Sequence, residues 1–600
     1  MTQKNTFHIG ICMAGAVSAG AYTAGVIDYL IETLEHWQKA KELQDEGKIT
    51  GIPTHNVIID VLCGASAGGM TAALASAVLH TNFEHITTKD VIENSEKLQK
   101  NPLYHSWVDL TESDQKSMME QMLSSSDIIG NSKNEAGEVW SLFNANFIRE
   151  IAERHINNIK RDPNVNRPYF AKDAEVLATL TNLRGIPFKV NFNNPSYTKS
   201  HRMTRYSDIA HFKITPNEKY NNDGRIPVHF ENAKGYNKDL LVQSAIATGG
   251  FPIGLAPVVI KRLGKYIKDN KFINLGNQRE LQTINNEDLF ETLNVDGGTI
   301  NNEPFFLTQE VLDDRMGVTE STRKISAKEF NSAVLMIDPF PNFSELPKLN
   351  YSPLKALKFI IPSILSAMMG ELRMKEDILR SAYGTEDYTK YLIIPARSEA
   401  NEEIENHIAC GSFQGFGGFF SKKFRQHDFL LGRRNCQRFL RWYFSVPASE
   451  KNTILAEGYK GKMGPFLVSL NEIEYLPIIP DIRVRSNEDG SYKIDYPNDF
   501  NEEKYNYPGI EEEEILKLKP LMKKRVSVIL KHIMNGKDPE KVNADKKKSW
   551  TGKLISLIFI QPLLALVMCI LRIIIKNKAS NKFIEMVLDD MRKNELIITK

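Results

Sequence analysis

The chain has 600 residues, with 76 Lys and Arg against 74 Asp and Glu for a formal net charge of +2, and it is 42% apolar and 25% charged. This is the composition of an ordinary globular protein, too long for one compact core, so at least two structural units are expected. The five cysteines (Cys12, Cys63, Cys410, Cys436 and Cys569) form no CxxC pair, which argues against a disulfide framework or a cysteine zinc site and for a reducing compartment.

Ile9 to Ala24 carries no charge. Only Lys4 precedes this run and glycines interrupt it, so it does not read as a signal peptide. It reads as a strand (Phe7–Cys12), a loop of small residues (Met13–Ala19) and a helix (Gly20–Glu35). Val57–Leu62 is a second strand, followed by Gly64-Ala65-Ser66-Ala67-Gly68 and a helical run, Met70–Leu79. Strand, tight turn and helix, twice within eighty residues, predict a parallel α/β sheet. Val176–Leu183, Val190–Phe192, Ala333–Ile337 and Tyr391–Pro395 extend it. Gly137–Ile159, Leu240–Thr248 and Pro304–Asp314 read as helices, and the Asn-rich stretches 193–239 and 260–290 as surface insertions.

GxSxG turns carry a nucleophile out of a strand and into a helix within two residues. The strained backbone leaves no room for side chains at the flanking positions, and Gly64 and Gly68 meet that need. The helix beginning at Ala67 aims free N–H groups at any oxyanion formed on the serine. Upstream, Gly15-Ala16-Val17-Ser18-Ala19-Gly20 also joins a strand to a helix, where Ser18 could simply be an N-cap. Downstream, Asp296-Gly297-Gly298 ends a third apolar run; alone, it is most often a hairpin turn.

Small-residue loop, GxSxG elbow and Asp-Gly-Gly, in that order, resemble the patatin-like phospholipases. The resemblance rests on residues 7–35, 57–79, 293–304 and SAIATGGFPIGLAPV (Ser244–Val258). It implies a three-layer α/β/α sandwich with a mainly parallel central sheet, to which the chain's own apolar runs add further helices and a C-terminal hydrophobic helix. It also implies Ser66 as nucleophile and Asp296 as general base. The oxyanion would rest on N–H groups of Gly15, Ala16 and Val17 together with Ala67. The implied activity is hydrolysis of phospholipids or other fatty-acyl esters through an acyl-enzyme, with no calcium or other cofactor. The family's usual GGGxRG loop reads GAVSAG here. That variant, with NPLYHSWVDL (Asn101–Leu110) and FRQHDFLLGRRN (Phe424–Asn435), is closer to a bacterial patatin-related subgroup. An α/β-hydrolase shares GxSxG but needs a histidine after the acid, and the candidates are His407, His427 and His532.

The expected organisation is a catalytic core over 1–345, a helical extension over 346–445 with a late strand at 391–395, a polar region over 446–545, and a basic tail over 546–600. Leu354–Met369 is a candidate cap. The tail holds twelve Lys and Arg against five Asp and Glu from Lys541 onward, a net of +7 that leaves −5 on residues 1–540. Leu554–Leu571 has no charge, with Lys546–Lys548 before it and Arg572 and Lys576 after, and Gln561-Pro562 would kink a helix there. These features suggest a membrane anchor around 554–575, spanning or dipping, that holds the protein at the cytoplasmic side, in preference to a helix buried in the protein, and an amphipathic surface helix at Asn581–Ile598. No nucleic-acid motif is present. The leading reading is a membrane-associated serine lipid acyl hydrolase; the alternatives are a catalytically weak or inactive lipid-binding protein and a lipid acyltransferase.

Overall fold

The first strand is apolar on both faces because both faces are covered. Strand β1 (Thr6–Met13) directs Phe7, Ile9, Ile11 and Met13 into the main core and Cys12 into a smaller cluster on the other side. The computed structural model describes residues 5–110, 117–128, 139–190, 201–215, 223–232, 235, 237–273, 284–340, 387–397, 407–535 and 561–598. Its strands continue with β2 (Asn56–Gly64), β3 (Phe170–Val190), β4 (His201–Ile214), β5 (Ile226–Val228), β6 (Val258–Leu263), β7 (Leu289–Asp296), β8 (Ser332–Ile337) and β9 (Lys390–Ile393).

These strands form one sheet in the order β5-β4-β3-β2-β1-β8-β9, with β7 paired to β3 and β6 to β7. Five pairings are parallel (β1 with β2 and β8, β2 with β3, β4 with β5, β8 with β9), and β3–β4, β3–β7 and β6–β7 are antiparallel. Helices α1 (Gly20–Asp45) and α2 (Ala67–Val78) bury their apolar residues with those of Phe7 and Ile59. The helix Lys238–Thr248 (α3) joins them. Helix α4 (Phe305–Met316) covers the opposite face, where Leu307 and Val311 meet Val61 and Cys63. A mostly parallel sheet between helices is the architecture the repeated strand-turn-helix pattern predicts.

Several expectations change. The stretches read as surface insertions contain β4, β5 and parts of β6 and β7, so they extend the sheet. Their polarity misled because this end of the sheet is held by buried polar pairs: Arg262 bonds Asp208, and His211 Nε2 lies 2.6 Å from Glu175 Oε2. Gly137–Ile159 is helical only from Asn146, ending in a wide turn at Glu153–Asn157. The candidate cap at Leu354–Met369 lies outside the described residues.

Helix α5 (Lys422–Trp442) packs along α1, where Arg433 bonds Asp28 and its Nη2 lies 2.6 Å from Glu32 Oε2. The polar stretch 446–545 is tied to the same place. Asp481, fully buried, accepts hydrogen bonds from Tyr29 Oη at 3.1 Å and from Arg441 Nε at 2.6 Å, and it pairs with Arg483.

The tail also differs from its reading. Helix α6 (Leu518–Asn535) and helix α7 (Gln561–Lys593) pack together, and Pro562 is the second described residue of α7. Among the described residues no helix is long and apolar enough to cross a membrane; residues 554–560 of the uncharged run lie outside them. Asn581–Ile598 is not a free surface helix. Val587, Met591 and Leu596 are fully buried, and the backbones of Ile510, Leu596 and Ile598 exchange hydrogen bonds.

Replacing Asp481 with alanine should lower stability by about 3 kcal/mol, because two buried arginines lose their acceptor. Denaturant unfolding measures this, and a loss under about 1 kcal/mol would mean the cluster is peripheral.

Candidate active site

Ser66 stands between β2 and α2 with φ 51° and ψ −127°, a conformation costly for any residue with a side chain. The chain tolerates it because its neighbours are bare. A Cβ on Gly68 would lie 2.1 Å from the Met13 carbonyl oxygen, and one on Gly64 would lie 2.3 Å from the Gly68 carbonyl carbon. The elbow is thus pressed onto the end of β1, where the Ala65 N–H also donates to Met13 O at 3.2 Å. Thr248, at the end of α3, accepts the Ser66 N–H at 2.9 Å.

The Ser66 hydroxyl donates to Asp296 Oδ2 at 2.7 Å. Asp296 ends β7, and its backbone is fixed on both sides: its N–H donates to Gly250 O at 2.9 Å, and its carbonyl accepts from Thr181 Oγ1 at 2.8 Å. The Gly298 N–H donates to Asp296 Oδ1 at 2.7 Å. The carboxyl is 5% exposed. Burial raises its pKa to about 7 against the lowering effect of its bonds from Ser66 and Gly298.

The loop over the serine is only partly as expected. The Gly15 N–H is engaged, donating to Asn302 O at 3.1 Å, so it does not face an oxyanion. The N–H groups of Ala16, Val17 and Ala67 have no acceptor among the described residues. Val17 sits at φ 47°, an unusual angle for a β-branched residue, and it lines the cavity beside Ser66 and Ala67.

The cavity volume is about 70 Å³. Met70, Leu74, Trp107, Ile151 and Phe251 are among its walls, and among the described residues Ser66 and Ser106 are its only non-aromatic polar side chains. Ser106 Oγ is buried with no partner among the described residues. Among the described residues no histidine lines it. His427 Nδ1 is 2.7 Å from Asp428 Oδ1, His407 Nδ1 accepts from the Arg397 N–H, and His532 Nδ1 is 3.1 Å from Val528 O. Among the described residues no group of three or more His, Cys, Asp or Glu side chains is placed to hold a metal ion.

A sequence profile described as patatin-like phospholipase matches residues 11–308, from within β1 to within α4. The chain belongs to the patatin-like phospholipase family. A protein of Sinorhizobium fredii (strain NBRC 101917 / NGR234), described as uncharacterized protein y4iI, is 30% identical over 518 residues, covering 80% of this chain and 71% of that protein. The crystal structure of VipD from Legionella pneumophila aligns at 11% identity with a TM-score of 0.21, over 72% of this chain and 66% of that one, too loosely to bear on the fold. The patatin-like match includes Ser66, Asp296 and the Gly15–Val17 loop. Thr248 and Asn302, which fix the elbow and the loop, went unmarked in the sequence. Thr248 was visible only as part of SAIATGGFPIGLAPV, and Asn302 only as part of the TINNEPF run after Asp-Gly-Gly.

A carboxyl raised in the folded state binds its proton more tightly there than in the unfolded chain. Between about pH 4 and pH 7 the Asp296 contribution to stability therefore falls as pH rises. Asp296→Asn, which never ionises, should raise the thermal midpoint relative to wild type at pH 8, and the difference should shrink at pH 5. Scanning calorimetry at the two pH values tests this; a lower midpoint at pH 8 would show that the carboxylate stabilises the turn.

Proposed function

We infer that the chain is a lipid acyl hydrolase acting on lipid esters, which its membership in this family supports in general. We propose that the chain is a membrane-associated serine acyl-ester hydrolase in which Ser66 and Asp296 act as a dyad. The observation that carries the reading is the 2.7 Å hydrogen bond from the Ser66 hydroxyl to a buried carboxyl, at the wall of a small cavity whose mainly apolar lining matches the chemistry of a fatty-acyl chain.

In this reading Asp296 Oδ2 takes the hydroxyl proton as Ser66 Oγ bonds to the ester carbonyl carbon. The resulting oxyanion is stabilised by the free N–H groups of Ala16, Val17 and Ala67 at the positive end of α2. Collapse breaks the carbon–oxygen bond to the alcohol, which leaves with the proton from Asp296. Water then attacks the acyl-enzyme, giving its proton to Asp296, and the fatty acid departs as Ser66 recovers its hydrogen. A carboxylate is a weak base toward serine, and raising it to about 7 by burial brings it closer to the proton it must accept.

Two measurements test the dyad. A fluorophosphonate probe should label wild type and not Ser66→Ala; an unlabelled, folded wild type on detergent-lipid micelles would instead favour a lipid-binding protein. Because only ionised Asp296 accepts the proton, kcat/KM should rise through a midpoint near pH 7 and level off above it. A rate independent of pH from 5 to 8 would remove Asp296 as the base.

We also propose that the uncharged run Leu554–Leu571, between basic flanks, attaches the protein to the cytoplasmic face of a membrane. Truncation would strip buried residues of α7 from the body, so the cleaner variant is Phe559→Lys with Leu563→Lys. Co-sedimentation with anionic vesicles should fall at least tenfold while the fold is kept; unchanged sedimentation would refute the anchor.

A further inference from the structure

The loop that would hold the oxyanion does not support itself. Val17 is kept at φ 47° by Ser18, which is 1% exposed and bonded at three points to a segment some four hundred residues later. The Ser18 N–H and the Ser18 hydroxyl both donate to the Gly415 carbonyl, at 3.0 and 2.5 Å. The Gly418 N–H donates to Ser18 Oγ at 2.9 Å. The Ser18 hydroxyl thus donates to one backbone group of the 415–418 stretch and accepts from another, and the Cys410 side chain also hydrogen-bonds to it.

That segment is itself held under strain. Phe413, Gln414 and Gly415 all have positive φ, at 51°, 55° and 90°. At Gly415 a Cβ would come within 3.2 Å of the Val17 Cβ, so the two chains touch where the loop turns. Three anchors keep the segment in this shape. Asp428, the partner of His427, accepts the Ala409 and Cys410 N–H groups at 2.9 and 2.8 Å. Arg425, fully enclosed, bonds Gly418 O and donates from Nε to Val108 O at 2.8 Å, linking the segment to the Ser106–Trp107 wall of the cavity. Asp590 of α7 accepts the Phe413 N–H at 2.5 Å, while the Phe413 and Phe583 rings meet edge to face, 5.2 Å apart.

We infer that Ser18 is a positioning residue for acyl-ester hydrolysis, and that residues 409–418 are the clasp through which it fixes the Val17 N–H toward the oxyanion of Ser66. A strained φ persists only where its surroundings over-determine it, and here they do so with three hydrogen bonds from one distant strand of chain. Losing the latch lets Val17 relax to negative φ and turns its N–H away from the serine. Apart from Val17 itself, the apolar walls that the substrate's acyl chain meets are unchanged. The inference rests on the hydrolase reading above, because it concerns the same oxyanion.

The test uses the full-length chain in detergent-lipid micelles with a p-nitrophenyl fatty-acyl ester. Wild-type turnover and its loss in Ser66→Ala are established first; their absence would overturn the hydrolase reading itself, and the inference with it. Ser18→Ala should then lower kcat roughly 10–100-fold with KM within about twofold, since misplacing one oxyanion donor costs turnover rather than acyl-chain binding. The midpoint near pH 7, which belongs to Asp296, should not move. Gly415→Ala, which keeps Ser18 but presses a methyl group on Val17, should show the same split and carries the test if Ser18→Ala does not fold. A folded variant that retains kcat within threefold of wild type, or whose loss is all in KM, overturns the inference while leaving the dyad intact.

Discussion

A single hydrogen bond, 2.7 Å from the Ser66 hydroxyl to Asp296, joins groups 230 residues apart, and most of the sheet is arranged so that it can form. The elbow needs β1 beside β2, because Gly68 rests on the Met13 carbonyl. The carboxyl needs β7 laid against β3, with Leu180 opposite Asp296. That pairing takes β3 past the parallel part of the sheet into its antiparallel half, so one long strand carries the register from one partner to the other. The bond also has to be dry, since desolvation is what brings the carboxyl near neutrality. Geometry and burial are therefore one requirement, met by the same packing.

The C-terminal third supports this core from outside. Arg433 fastens α5 to α1 through its buried ion pair with Asp28, and Asp481 ties the 478–483 stretch to α5 by its ion pair with Arg441 and to α1 by the Tyr29 hydroxyl. Such pairs cost desolvation and return little net stability, yet they fix one arrangement in place of many. The His427–Asp428 pair shows how local chemistry can mislead. A histidine beside a carboxylate suggests catalysis, but here the carboxylate takes two backbone N–H groups and shapes the loop that reaches Ser18.

What could be read from the sequence follows from how local each signal was. β1, β2, α2 and α3 were legible because their apolar runs and turn residues lie within a dozen positions, and the elbow because small residues crowd one serine. β4 and β5 were not, since their interior contacts are charged pairs such as Arg262–Asp208, whose partners lie 54 residues apart and read as surface polarity. The pairing of Ser66 with Asp296 could be anticipated only through resemblance to a family; nothing near Asp296 distinguishes it from a hairpin turn. Gly15 was misjudged for a related reason. A loop sequence lists its N–H groups but not which of them a distant carbonyl, here that of Asn302, will occupy. The packed half of α7 looked like a membrane-surface helix because amphipathicity records an apolar face and not what covers it.

The 397-residue interval between Ser18 and Gly415 also orders events in time. At a translation rate of about 5–20 residues per second, the carbonyl that receives Ser18 leaves the ribosome on the order of 20–80 s after its donor. The nucleophile and its acid partner are synthesised well before that clasp exists. Ser66 and Asp296 are thus both in the chain 119 residues before Gly415 is added, so the loop beside the serine gains its distant support later than the pair itself.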